Sequence, residues 1–136
     1  MNDSRSTERH RRRERGESAP GELARGLAEA ALTRKAEGIV ILDLEGLTSM
    51  ADHFVIATVT TDVHARAVAE AVVGWAKGTL GERPWHVEGD EGSRNWILLD
   101  YVDVVVHLMQ PDTRAYYGLE RLWGDAPRHP VEDLPR

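Results

Sequence analysis

The chain has 136 residues, a mass of 15.2 kDa, a net charge of −6 and no cysteine. This length suits one domain with its own core, and the lack of cysteine excludes disulfides, thiolate nucleophiles and cysteine-ligated metal centres. No apolar run approaches the roughly 20 residues that cross a bilayer, and the first residues lack the apolar segment of a signal peptide. We therefore expect a soluble, cytoplasmic protein.

Charge is distributed unevenly along the chain. Residues 1–19 contain six arginines against four acidic residues, a balance of +2 that leaves −8 for residues 20–136. Because almost nothing in residues 1–19 is apolar, this segment is predicted to be a disordered, arginine-rich tail. The acidic remainder repels phosphate backbones and favours a basic partner, so specific, direct nucleic-acid binding is not expected.

The first half of the folded region alternates helices and strands. A stripe of leucine and alanine at helical spacing predicts a helix that begins near Pro20. Residues 39–44 and 53–59 are short apolar runs with β-branched side chains, which predict two strands. Between the second strand and a later pair of glycines, residues 60–62 are typical of a helix N-cap and predict a second helix.

The second half is rich in strands. Residues 84–88, 95–101 and 103–110 are predicted to form an antiparallel meander, and a short helix begins at Pro111. From Gly124 onward, recurring prolines predict no regular structure.

These elements predict an α/β domain over residues 20–126, followed by a proline-rich C-terminal tail at residues 127–136. The expected architecture is a mixed sheet of about five strands flanked by helices. The strand–helix–strand passage over residues 53–88 should place its two strands parallel to each other.

Two histidines and two carboxylates lie on the predicted meander. His86 and Glu88 share one face of their strand, and Asp103 and His107 share one face of theirs, because side chains alternate along a strand. If these strands are close, the four groups would form a metal or acid–base site. None of the spacings is a known ligand motif, so structural groups or an exposed protein-binding face explain them better, and we expect no metal.

A second pattern, Gly92-Ser93 followed by Asp100 and Asp103, invites comparison with nucleotidyltransferases. Those enzymes hold magnesium with two carboxylates one residue apart on a strand. Asp100 and Asp103 are three apart and would point to opposite faces, so residues 100–103 fit a tight turn better. A divergent magnesium-dependent nucleotidyltransferase is the alternative, but the sequence has no phosphate-binding glycine loop and predicts no catalytic residue or cofactor.

Aromatic residues concentrate near the end of the folded region. Six of the eight Trp, Tyr and Phe residues lie between Trp85 and Trp123. Around residues 114–123 they are mixed with arginine and glutamate, and Trp, Tyr and Arg dominate protein–protein hot spots. The alternative is a terminal helix that Leu119, Leu122 and Trp123 hold to their own domain.

Several stretches, taken in order, resemble the ribosomal silencing factors, also called the Iojap family. They are residues 41–44 (ILDL), 51–58 (ADHFVIAT), 86–89 (HVEG), 96–107 (WILLDYVDVVVH) and 119–126 (LERLWGDA). The likeness spans about residues 22–126, nearly the whole folded part. One departure is Val102, which stands where the family commonly has glycine.

This resemblance implies a non-catalytic translation repressor. Members of the family bind the large ribosomal subunit through ribosomal protein L fourteen, at the surface where the small subunit would dock, so that joining is blocked sterically. The resemblance also implies a nucleotidyltransferase-like fold without catalytic residues, no cofactor, and a homodimer when the protein is free.

The surface expected to contact the ribosomal partner comes from the meander and the residues that follow it. Its carboxylates would pair with Lys or Arg of the partner, and its aromatic side chains would fill apolar hollows. The predicted contact residues are His86, Glu88, Trp96, Asp100, Tyr101, Asp103, Arg114, Tyr117, Glu120, Arg121 and Trp123.

Overall fold

The computed structural model describes residues 20–132, which form a six-stranded mixed sheet with helices packed against it. The elements in chain order are α1 (Pro20–Leu32), β1 (Glu37–Asp43), β2 (His53–Thr58), α2 (Asp62–Leu80), β3 (His86–Glu88), β4 (Trp96–Asp100), β5 (Val104–Met109), α3 (Pro111–Tyr117), α4 (Leu119–Leu122) and β6 (Arg128–Val131). The predicted tail at residues 1–19 lies outside the described residues, as do the last four residues of the predicted C-terminal tail. No helix within residues 20–132 is long and apolar enough to cross a membrane.

The strands follow the order β3-β4-β5-β2-β1-β6 across the sheet. β3, β4 and β5 form the predicted antiparallel meander, β5 pairs in parallel with β2, and β2 pairs antiparallel with β1. β2 and β3 therefore run in the same direction, as the strand–helix–strand passage predicted, although β4 and β5 lie between them. The predicted α/β class and the mixed sheet flanked by helices are confirmed.

One face of the sheet is covered by α1 and α2 and holds the larger core. Leu27, from the predicted stripe of α1, is completely buried there. The Thr61 hydroxyl caps α2 by accepting the His64 backbone N–H at 3.0 Å. A Cβ atom at Gly26 would collide with the Trp75 ring, so the close packing of α1 on α2 requires glycine at this position.

The prediction that no regular structure follows Gly124 is wrong. Arg128–Val131 form the edge strand β6, which pairs antiparallel with β1 and brings the sheet to six strands rather than about five. Pro130 is compatible with this strand because an edge strand is hydrogen-bonded to a neighbour on one side only. A proline, which has no backbone N–H, is tolerated where that N–H would face away from the neighbouring strand. Val131 is buried, which anchors the strand on the larger core.

The predicted tight turn at residues 100–103 joins β4 to β5. The Asp103 N–H donates to the Tyr101 carbonyl at 2.9 Å, which closes a γ-turn around Val102, whose φ is +73°. Oδ1 of Asp100 accepts the Val102 N–H at 2.8 Å and supports the turn. Such a backbone costs a non-glycine residue about 1–3 kcal/mol, so the turn is strained at Val102.

Replacing Val102 by glycine is expected to cost no more stability than replacing it by alanine, the reverse of the usual order. Both changes remove most of a buried side chain, a loss of about 1–2 kcal/mol, but only glycine relieves the left-handed strain. Urea unfolding of the parent and both variants measures the difference. A Val102→Gly variant less stable than Val102→Ala by about 0.5–1 kcal/mol, the ordinary margin, would contradict the prediction.

Candidate partner-binding face

The second face of the sheet carries a smaller core that only short segments cover. Four partly buried side chains pack against this core: Leu119 and Trp123, from α4 and its end, and Trp96 and Leu98 of β4. Strand alternation and register assign the side chains of this second face. They are Val40, Leu42, Phe54, Ile56, Trp96, Leu98, Val105 and Met109.

A sharp corner between α3 and α4 determines what lies over the second face. Gly118 ends α3 with a φ of +55°. A Cβ atom at this position would meet only the Arg121 guanidinium, the movable end of an exposed side chain, so it is the left-handed backbone that favours glycine. The corner directs Tyr117 onto the ring of Trp96 and Leu119 onto the smaller core.

Six rings form a continuous series over the second face, which we call the aromatic chain. Successive ring centroids are 5.0, 4.8, 5.9, 4.5 and 6.3 Å apart, and all pairs are tilted or edge-to-face. These separations and angles are those that aromatic pairs prefer. The aromatic chain therefore connects exposed rings at one end to rigid, buried rings in its middle. In order, it consists of Tyr116, Tyr117, Trp96, His107, Phe54 and Trp123.

His107 is the buried centre of the aromatic chain. The Trp96 indole N–H donates to Nδ1 of His107 at 3.2 Å, which places the imidazole proton on Nε2 when the ring is neutral. Burial lowers the pKa of His107 to about 4, so the ring is neutral at pH 7. A neutral His107 fixes the orientation of Trp96, on which Tyr117 then rests.

Three large side chains of α3 and α4 lie in solvent, and two of them, Tyr116 and Tyr117, form the outer end of the aromatic chain. Tyr116 is 79% exposed, Leu122 71% and Tyr117 54%. Exposed apolar side chains that cluster on a rigid base mark interaction sites more often than isolated ones do. Tyr116 and Leu122 were missing from the predicted contact surface. Gly118 was the sequence signal that α3 and α4 turn apart and leave these two side chains uncovered.

Arg114 and Glu120 were predicted to contact a partner, but they chiefly bind each other. Arg114 Nη2 lies 2.9 Å from Glu120 Oε2, and its Nη1 donates to the Thr58 hydroxyl at 2.9 Å. Partial burial acts to raise the pKa of Glu120, but the hydrogen bond and charge of Arg114 outweigh it and hold the pKa below its usual value. The pair ties the α3–α4 corner to the end of β2.

Three predicted contact residues are fully accessible. His86 and Glu88 are exposed on β3, with His86 Nε2 and Glu88 Oε2 3.3 Å apart. Their register opposite Asp100 and Leu98 places them on the second face. Arg121 is exposed on α4, next to the outer end of the aromatic chain.

Asp100, Tyr101 and Asp103, also predicted as contact residues, are instead buried. Tyr101 packs in the larger core on the opposite face, where burial, and secondarily the charge of Glu82, raises its pKa to about 12. Asp100 holds the N–H of Val102 in the γ-turn, and the Asp103 carbonyl accepts two backbone N–H groups around the start of β2. These residues build the β4–β5 turn, so the surface prediction is corrected at all three positions.

The structure does not assemble the predicted set of His86, Glu88, Asp103 and His107. β4 separates β3 from β5, and His107 is buried against Trp96 rather than facing His86. Asp100 and Asp103 sit on the two sides of a γ-turn, and an oxygen of Asp100 is occupied by that turn. A nucleotidyltransferase-like character of the fold stays a prediction.

The fold and this face define an α/β domain that presents an aromatic, partly apolar surface. The sequence matches the family described as "Ribosomal silencing factor during starvation" over residues 17–136. A ribosomal silencing factor RsfS of Bacillus subtilis (strain 168) is 41% identical over 100 residues, which cover 74% of this chain and 83% of the relative. The RsfS of Halalkalibacterium halodurans is 39% identical over 113 residues, or 83% of this chain and 95% of the relative.

A solved structure shows the same fold. A crystal structure of a Chromobacterium violaceum protein aligns with a TM-score of 0.75 at 33% identity, over 88% of this chain and 92% of that one. The chain belongs to the ribosomal silencing factor (RsfS) family, as the resemblance predicted.

Proposed function

We propose that this protein represses translation by binding the large ribosomal subunit through ribosomal protein L fourteen and sterically blocking the small subunit. The protein works by occupying a surface, without catalysis, a cofactor or direct, specific nucleic-acid binding. It acts in the cytoplasm, where its ribosomes are. Membership in the family supports the ribosomal role, and the aromatic chain supports the mode of binding.

The observation that carries this proposal is the exposed end of the aromatic chain on a rigid base. Tyrosine and tryptophan supply large contact areas with little rotamer entropy to lose, so they dominate the binding energy of interfaces. Here Tyr117 rests on Trp96, which His107 holds in place. A surface prepared in this way requires little reordering when a partner docks.

The contact surface that we propose is the predicted one, revised by burial. It keeps the predicted residues that are exposed or partly buried, and it adds Tyr116 and Leu122. It omits Arg114 and Glu120, because their ion pair stabilises the α3–α4 corner. The −8 charge of residues 20–136 complements a basic ribosomal protein and speeds encounter. The proposed contact residues are His86, Glu88, Trp96, Tyr116, Tyr117, Arg121, Leu122 and Trp123.

A sedimentation experiment tests the binding directly. The purified chain, spun through a sucrose cushion, is expected to pellet with large subunits and not with small ones. A photo-crosslinking amino acid at position 122 should attach to ribosomal protein L fourteen, whereas the same group at Val63, exposed on α2, should not. Absence from the large-subunit pellet would refute the proposal, and crosslinking only from position 63 would refute the assigned face.

The resemblance also implies that the free protein is a homodimer. We propose that the free chain is a homodimer, and the sedimentation experiment is therefore run above and below micromolar concentrations. Analytical ultracentrifugation of the free chain gives the oligomeric state in each case.

A further inference from the structure

A separate cluster of polar side chains lies where β1 leaves the sheet. We propose that Asp43, Glu45 and His53 form a binding site for a divalent transition-metal ion such as Zn²⁺. One ligand atom from each residue lies within 4.8 Å of the others. Within residues 20–132 no other group of three such side chains converges in this way.

The register of β1 and β2 brings these residues together. Asp43 ends β1 and is the cross-strand partner of His53, which begins β2. Nε2 of His53 lies 4.0 Å from Oδ1 of Asp43 and 3.8 Å from Oε1 of Glu45. The Glu45 backbone N–H donates to Oδ1 of Asp43 at 3.0 Å, and this turn returns the Glu45 side chain to the histidine.

The His53 ring is nearly buried, and its Nε2 faces the two carboxylates. Its side chain is only 7% exposed, and its Nδ1 is buried with no hydrogen-bond partner among the described residues. The contacts of Nε2 with the two carboxylates are longer than hydrogen bonds. One cation bound to Nε2 could contact both carboxylates together, whereas Nδ1, on another side of the ring, would keep its present surroundings.

The donor set selects the class of ion. One imidazole nitrogen and two carboxylate oxygens suit Zn²⁺ and similar metals, whereas Mg²⁺ and Ca²⁺ prefer oxygen ligands alone. Bonds of about 2.0–2.2 Å to a tetrahedral zinc ion place neighbouring ligand atoms about 3.4 Å apart. The two distances to Nε2 therefore need to shorten by about half an ångström, and the separation of the two carboxylates, at most 4.8 Å, by up to about 1.4 Å. The exposed Glu45 side chain can provide this by rotating. Water would complete the coordination.

The charge around the cluster also favours a cation. Among the described residues, the ion pairs recorded for Asp43 and Glu45 involve only His53, so no Lys or Arg neutralises them. The Asp103 carbonyl oxygen also lies beside His53 and accepts its backbone N–H at 3.1 Å. The resulting negative potential attracts a divalent ion.

Calorimetric titration of the untagged, metal-free full chain with zinc chloride tests the proposal. One equivalent of Zn²⁺ is expected to bind with micromolar affinity, and Mg²⁺ at least a hundredfold more weakly. Asp43→Asn and Glu45→Gln should each weaken zinc binding at least tenfold. Glu88→Gln is the matched control, because it alters another His–Glu pair, 3.3 Å apart, that lacks a third ligand. Its zinc affinity should equal that of the parent.

An NMR measurement shows which histidine binds zinc, and it avoids replacing the buried His53. In ¹⁵N spectra of the imidazoles, zinc should shift Nε2 of His53 and leave the His86 ring unchanged. Three results would overturn the proposal: no binding at millimolar zinc, binding unaffected by both carboxylate variants, or a shift at His86 alone. Circular dichroism of each variant confirms that the fold is kept.

Discussion

Replacing Tyr116 and Tyr117 together by alanine is expected to weaken binding to large ribosomal subunits at least thirtyfold. Both side chains are mostly exposed, so the free protein gives up little packing when they are removed. Truncating hot-spot aromatic residues costs about 2 kcal/mol or more in binding free energy, and this corresponds to a factor of about 30. Titration of fluorescently labelled protein with large subunits measures the effect.

Trp85→Ala is the matched control for the tyrosine variant. Trp85 is another large, exposed aromatic residue, but it lies outside the aromatic chain. It should bind like the parent, and urea unfolding should show that both variants are folded. If the double tyrosine variant binds as tightly as the parent, the second face is not the contact surface.

The second large effect is expected in the dependence of stability on pH. Because burial lowers the pKa of His107 to about 4, the unfolded chain binds a proton that the folded chain does not between pH 6.5 and 4. This stabilising contribution is complete above pH 6.5 and is lost as the pH falls towards 4. The loss amounts to about 3 kcal/mol in the free energy of unfolding.

Urea unfolding at pH 7, 5.5 and 4.5, together with an NMR titration of the His107 ring, measures this contribution. Glu120 acts in a lower window, because its depressed pKa gives stability that is lost only as the carboxylate is protonated below its ordinary value. His107→Phe should flatten the slope between pH 6.5 and 4.5. A His107 ring that titrates near 6.5, or a slope unchanged in the variant, would contradict the assignment.

Local patterns predicted most of the fold. The alanine-rich stripe of α1, the Thr61 cap of α2 and the apolar runs of β1, β2 and β5 each have a signal within a few residues of sequence. β6 lacked such a signal, because its pairing with β1 joins positions about 90 residues apart, and Pro130 argued against a strand. The pairing of an edge strand with a distant strand depends on tertiary structure, so the local sequence pattern does not predict it.

The composition of the site was predictable, and strand alternation predicted that Trp96 and Tyr101 point to opposite faces, as they do. The concentration of aromatic residues identified the region, yet the γ-turn at Val102, in which Asp100 and Asp103 are buried, has no comparable local signal. The Arg114–Glu120 pair forms across the Gly118 corner, so helical spacing does not predict it. The Asp43–His53 register likewise depends on the pairing of β1 with β2.

The central claim is that the protein occupies a docking surface instead of transforming a substrate. A sucrose-gradient profile of purified large and small subunits, mixed with the protein under conditions that favour joining, tests it most directly. Joined ribosomes should decrease, and free small subunits increase, in proportion to the large subunits that carry the protein. An unchanged amount of joined ribosomes when the large subunits are saturated with the protein would contradict the claim.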